Sequence, residues 1–137
     1  MKHPLAPIPL ALALIAGCSS TPKTIVEGEK YPAAVHHAYT LDIQVFRRDT
    51  DIEFTNTTAR AFDPSTLWLN GRFSRHIEGL TLGQTVKLPL KSFKDEFGES
   101  FRGGGFFATQ RPERLALAEI QVGNDMLGLI VVGNEEP

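Results

Sequence analysis

The chain has 137 residues, enough for one domain and too few for two ordinary ones. Hydrophobic residues make up 42% and charged residues 22%, which excludes a disordered or fibrous chain. A net charge of −2 without a basic stripe sets nucleic-acid binding aside, and the single cysteine, Cys18, rules out an internal disulfide.

Met1-Lys2-His3 is a short positive start, and positions 4–16 are apolar, with Leu5, Ile8, Leu10, Leu12, Leu14 and Ile15 separated mostly by alanine and proline. Thirteen residues are too few to cross a bilayer as a helix, which takes roughly 20, and Pro4, Pro7 and Pro9 disfavour a helix there. Length, charge and position fit a signal peptide over 1–17. The segment ends Leu14-Ile15-Ala16-Gly17-Cys18, which resembles the bacterial lipobox, where small residues precede an obligatory cysteine. The resemblance implies that the Cys18 thiol receives diacylglycerol, that the chain is cut before it, and that the new amine is acylated. Ser19 stands where an aspartate would signal inner-membrane retention in some Gram-negative systems, so the resemblance implies an outer-membrane protein facing the periplasm. Removal of Lys2 leaves 13 basic against 16 acidic side chains, a net −3. The polar stretch that follows, with Ser, Thr, Pro and Gly, reads as a tether over 18–30, leaving 31–137 for the domain.

From Val35 the chain alternates with period 2, the strand signal. Val35, Tyr39, Leu41, Ile43 and Val45 share one parity, Arg47 to Thr50 reads as a turn, and Asp51 to Thr58 resumes with Ile52 and Phe54 inward. Asp63-Pro64-Ser65 is a turn by composition. A short strand with Trp68 leads through Asn70-Gly71, a tight-hairpin pair, into Arg72 to Ile77. Val86, Leu88 and Leu90 alternate, and Pro89 demands an edge or a strand end. Phe93, Phe97 and Phe101 recur every four residues, which allows a helical turn at Phe93 to Phe97. Phe106 to Thr109 is apolar and reads as buried. Leu115 to Val122 and Met126 to Val132 are strands joined through Gly123-Asn124-Asp125. Seven or eight short strands with no long amphipathic helix predict an all-β fold: one antiparallel β-sandwich of immunoglobulin or fibronectin-III type, with a small barrel as the alternative.

The chemistry-bearing residues are few. His36 and His37 are adjacent, so on a strand they face opposite sides and one metal cannot easily take both; His76 has no second ligand at useful spacing and reads as surface. Asp49, Asp51 and Glu53 share one strand face beside Arg47 and Arg48, spread over roughly 13 Å at strand rise; a solvated face is the simpler reading. Asp95, Glu96 and Glu99 around Gly98 are more loop-like, but Lys94 and Arg102 dilute them and the repeating Asp/Asn positions of a calcium loop are missing. Gly103-Gly104-Gly105 lacks the Lys-Ser/Thr and the helix that a phosphate-binding loop needs. Ser74, Ser92 and Ser100 have no nucleophile-elbow context, and Asn56-Thr57-Thr58 fits a glycosylation acceptor that most bacteria do not use. No metal, cofactor or enzymatic activity is therefore expected.

Two stretches, Leu67 to Ser74 and Phe97 to Thr109, are dense in aromatic, Gly and Arg residues. The run from Ile43 to Leu129 resembles small uncharacterised bacterial lipoproteins with a sandwich-like domain, which implies fold and address but no activity. Core packing of Phe and Trp around tight turns is one reading of these stretches. The other is a recognition patch of Trp68, Arg72, Phe73 and Arg102, since aromatic and Arg side chains dominate contact surfaces. The expected function is a membrane-anchored, non-enzymatic binding or envelope-organising module with an envelope protein as partner. The alternative is a module for sugar or peptidoglycan fragments using the aromatic groups near Trp68.

Overall fold

The computed structural model describes residues 28–133; the signal segment, Cys18 and most of the expected tether lie outside the described residues. Strands β1 (His36–Arg48), β2 (Asp51–Thr55), β3 (Ser65–Leu69), β4 (Phe73–Ile77), β5 (Thr85–Pro89), β6 (Ala118–Val122) and β7 (Asp125–Val132) make the described chain all-β. They form one hydrogen-bonded sheet in the order β4-β3-β6-β7-β1-β2-β5, curled into a half-barrel. A sandwich packs two sheets face to face; here one sheet coils on itself and its own concave face encloses the core. The sheet is mixed, because β1 and β7 run parallel while every other neighbouring pair is antiparallel.

Local turn chemistry sets the hairpins. Leu69 pairs with Phe73, so β3 and β4 are joined by the three residues Asn70-Gly71-Arg72, in which Asn70 and Gly71, at φ 53° and 61°, take the left-handed region and Arg72 N–H donates to the Leu69 carbonyl (3.1 Å). Strand β1 runs on to Arg48, so the turn into β2 is only Asp49-Thr50. Pro89 is the last residue of β5, an edge strand, where its missing N–H interrupts no ladder. Register irregularities between β1 and β7, at His37/Thr40 and Thr40/Gln44, shift the side-chain parity. Leu41, Ile43 and Val45 therefore point inward, while Tyr39, expected on their face, is exposed.

The core fills the concave side with Ile43, Ile52, Phe54, Leu67, Leu69 and Phe73 among others. The opening between the edges β4 and β5 is bridged by the chain itself. A 3-10 turn, Leu90–Ser92, follows β5, and Lys94 then exchanges backbone hydrogen bonds of 2.8 and 3.0 Å with Ser74 on β4. Leu90 and Phe93, both fully buried, are carried inward by this crossing. No helix forms at Phe93 to Phe97: Asp95 to Glu99 is a tight turn, with Gly98 N–H donating to the Asp95 carbonyl, so Phe93 and Phe101 are buried and Phe97 is 76% exposed.

The N-terminal residues 28–30, counted with the tether on composition, are bound to the domain. Gly28 N–H donates to the Asp95 carbonyl (2.9 Å) and Glu29 N–H to Ser74 Oγ (3.0 Å). The chain then lays Tyr31 over the convex face of the sheet.

Candidate functional site

The four residues expected to form one patch are divided by the sheet. Trp68 pairs across the ladder with Ser74 and Glu119, on the convex face, whereas Phe73 pairs with Leu69 and points into the core. Both rings are buried, Trp68 completely. Tyr31 packs edge-on against Trp68 with centroids 5.3 Å apart, and the indole N–H donates to Gln121 Oε1 (3.0 Å). A buried indole needs such an acceptor. Neither ring offers a face to a ligand: Phe73 belongs to the core and Trp68 lies beneath Tyr31 on the convex face. Arg102 is half-exposed, its Nε 3.9 Å from Glu113.

Arg72 is the member of the set that stands at a cleft. Glu29, Lys30, Tyr31, Gly71, Arg72, Asp95, Glu96 and Phe97 enclose a volume of about 200 Å³ at the end of the sheet where β3 turns into β4. Arg72 Nε and Nη2 both donate to Asp95 Oδ2 (3.0 and 2.6 Å), Nη2 also reaches Glu99 Oε2 (2.6 Å), and the guanidinium lies 4.8 Å over the Phe73 ring. Asp95 is buried, and its other oxygen accepts the N–H groups of Phe97 (3.0 Å) and Glu99 (2.8 Å). Desolvation pushes the Asp95 carboxyl up, but the Arg72 hydrogen bond and these two backbone donors outweigh it and hold the group below the usual carboxylate range. The same bond raises Arg72, against its partial burial. A residue expected in a recognition patch and an acid expected in a loop-like acidic cluster are thus one ion pair that fixes the 95–99 turn.

Asp51 and Glu53 are likewise paired with bases. Asp51 lies 3.4 Å from Lys87 Nζ and Glu53 3.8 Å from Arg48 Nε. His36 approaches Asp125 (3.4 Å) and His37 approaches Glu119 (3.2 Å), on opposite faces of β1. Among the described residues no three His, Cys, Asp or Glu side chains are grouped to hold a metal. Asn56, at the head of the glycosylation-like triplet, is buried and donates its amide to the Arg60 carbonyl (2.8 Å). Ser74 Oγ accepts the Glu29 N–H, Ser92 Oγ donates to the Pro89 carbonyl (2.5 Å), and Ser100 Oγ accepts from Lys94.

Two features escaped the sequence. Glu119 is a buried carboxylate on the convex face, accepting from Tyr31 Oη (2.8 Å) beside His37. Burial, then the hydrogen bond and charge of Glu119, push the Tyr31 phenol up to about 12. A lone acid within the apolar run LALAEIQV was the available signal. The second is the loop 102–114. Phe106 and Phe107, expected to be buried, are 96% and 90% exposed. They occupy the middle of a turn closed by Ala108 N–H to the Gly105 carbonyl (3.0 Å), their rings edge to face at 5.0 Å.

The neck below them is built. Arg47 Nη1 donates to the Glu113 carbonyl (2.6 Å), Nη2 to the Gly103 carbonyl (2.8 Å) and Nε to the Asp49 carbonyl (3.1 Å). Burial lowers the Arg47 guanidinium from its ordinary value, with the Asp49 charge acting the other way. Glu113 N–H donates to the Arg102 carbonyl (2.8 Å) across the same neck. At Gly104, φ is +81° and a Cβ would stand 2.8 Å from the Pro112 ring, so only glycine lets the two arms close. On the far side Asn70 substitutes for a strand partner: its Oδ1 accepts from Ala116 and Leu117 N–H and its Nδ2 donates to the Arg114 carbonyl (2.7 Å).

No family model, curated protein or solved structure matches the chain.

Proposed function

We propose that the protein is a lipid-anchored, non-enzymatic module of the bacterial cell envelope, held through Cys18 and acting by binding or organising other envelope components. The observation that carries this reading is the sequence Leu14-Ile15-Ala16-Gly17-Cys18 behind a short positive start and an apolar run. Several acyl chains on one residue, each buried CH₂ worth roughly 0.8 kcal/mol, make such an attachment effectively permanent. Ser19 in place of aspartate favours the outer membrane, with the domain facing the periplasm. The non-enzymatic part is supported by the polar groups themselves: Asp95, Glu119, Asn56 and Ser74 are spent on fixing turns and the N-terminal segment. The alternative, a module for sugar or peptidoglycan fragments, would need an aromatic platform other than the buried Trp68 and Phe73.

Fractionation of a Cys18→Ser variant tests the anchor. The wild type should sediment with outer membranes in processed form, and the variant should remain unprocessed or lose the lipid attachment. A variant that is still processed and still acylated would contradict the reading.

A further inference from the structure

We propose that the loop carrying Phe106 and Phe107 is a second, non-covalent membrane contact, seated in the interfacial layer of an anionic bilayer on the same side of the domain as the lipid anchor. The inference rests on the proposed acylation of Cys18 for its geometry.

Three observations converge. Residues 105–112 form an unbroken exposed run whose tip is two phenylalanines, each almost wholly in water. Two adjacent large apolar groups at the summit of a loop are costly there unless something covers them. The tip also stands on a rigid pedestal, because Arg47 staples both arms of the neck and Gly104 packs on Pro112. A collapsed or frayed loop would have neither feature.

The second observation is charge. Residues 102–114 carry three arginines and one glutamate in a chain of net charge −2. An aromatic tip above a basic collar is complementary to a layer with anionic headgroups over hydrocarbon, where rings enter the interface and cations meet phosphate. A bilayer also requires no shaped pocket, which suits two rings standing clear of the surface.

The third is position. The loop, the Asp49-Thr50 turn, the Asn70-Gly71 turn and the 95–99 turn all lie at one end of the sheet. Gly28 is bound to Asp95 at this same end. Gly28 lies ten positions after Cys18, a covalent reach of at most about 35 Å. A lipid on Cys18 therefore leaves the Phe106–Phe107 end within reach of the bilayer.

The test uses the acylated mature chain in vesicles, with Ala108→Cys as the free thiol for an environment-sensitive fluorophore. Nitroxide-bearing lipids should quench the label in vesicles containing phosphatidylglycerol. A Phe106→Ser/Phe107→Ser double variant should lose that quenching while floating with the vesicles as before, and unchanged Trp68 emission should report that it is folded. A floating protein whose label is not quenched overturns the proposal, including the case in which the loop crosslinks to a protein instead. Quenching that persists in the double variant also overturns it, since the tether alone would then explain proximity. Should mass analysis find Cys18 unacylated, the anchor reading fails separately. The processed chain would then be tested by co-sedimentation: binding to phosphatidylglycerol vesicles that the double variant lacks supports the loop contact, and absence of binding overturns it.

Discussion

Arg47 and Glu113, 66 residues apart in the chain, are joined by a 2.6 Å hydrogen bond from the guanidinium to the backbone carbonyl, and this bond closes the neck of the exposed aromatic loop. Arg47 is the last inward-leaning residue before the β1–β2 turn, so a strand end supplies the clamp for a loop encoded much later. The planar fork matters, because one side chain must reach carbonyls on both arms at once.

Arg47→Met should therefore loosen the loop more than the sheet. Hydrogen bonds to a charged donor are worth about 1.5–3 kcal/mol each at most, and partial exposure reduces them, so a loss of about 2 kcal/mol is expected in urea unfolding. Chymotrypsin should cut after Phe106 or Phe107 markedly faster than in the wild type, and Arg47→Lys should recover only part of the protection. Equal cleavage rates would show that the neck does not depend on the clamp.

Asp95 gives a prediction at low pH. Its carboxyl is held below the usual carboxylate range in the fold, so its contribution to stability is full above the ordinary value of about 3.9 and is lost as pH falls through the folded value. Asp95→Asn should be less stable than the wild type near neutrality, and the gap in urea midpoint should close as pH drops below about 4. A gap that stays constant with pH would mean that the Asp95 charge is irrelevant to the 95–99 turn.

Tyr31 behaves oppositely. Folding raises its phenol from 10.0 to about 12, so the stabilisation is full below pH 10 and is lost between 10 and 12 as the phenol ionises. The ultraviolet titration of the wild type minus that of Tyr31→Phe should show a midpoint near 12. The same substitution removes a donor from the buried Glu119, at a cost of about 1–2 kcal/mol. A difference midpoint near 10 would contradict the bond.

Trp68, the only tryptophan, is fully buried. Its emission should be blue-shifted and poorly quenched by iodide, and peptidoglycan fragments should leave it unchanged. Trp68→Ala should cost about 3–5 kcal/mol, as for other large buried aromatics. Iodide quenching at the rate of a free indole would place the ring in solvent.

What the sequence revealed was local. Alternation located the strands, Asn70-Gly71 gave a hairpin, and Pro89 marked an edge, because each depends on neighbours in the chain. Pairing of the first strand with the last was hidden, since β1 meets β7 parallel through partners some ninety residues apart, such as His37 and Met126. Composition misled at Phe106-Phe107, where an apolar pair normally predicts burial but the preceding glycines and Arg47 lift it into water. The Arg72–Asp95 pair was likewise out of reach: each residue was visible, but only the crossing of Leu90 to Lys94 from β5 to β4 brings them together.

The proposal that the domain works from a membrane surface depends first on Cys18, and mass spectrometry of the protein extracted from membranes tests it most directly. The expected chain begins at Cys18, with a diacylglyceryl thioether and an acylated amine. A chain beginning elsewhere, or an unmodified Cys18 thiol, would contradict it.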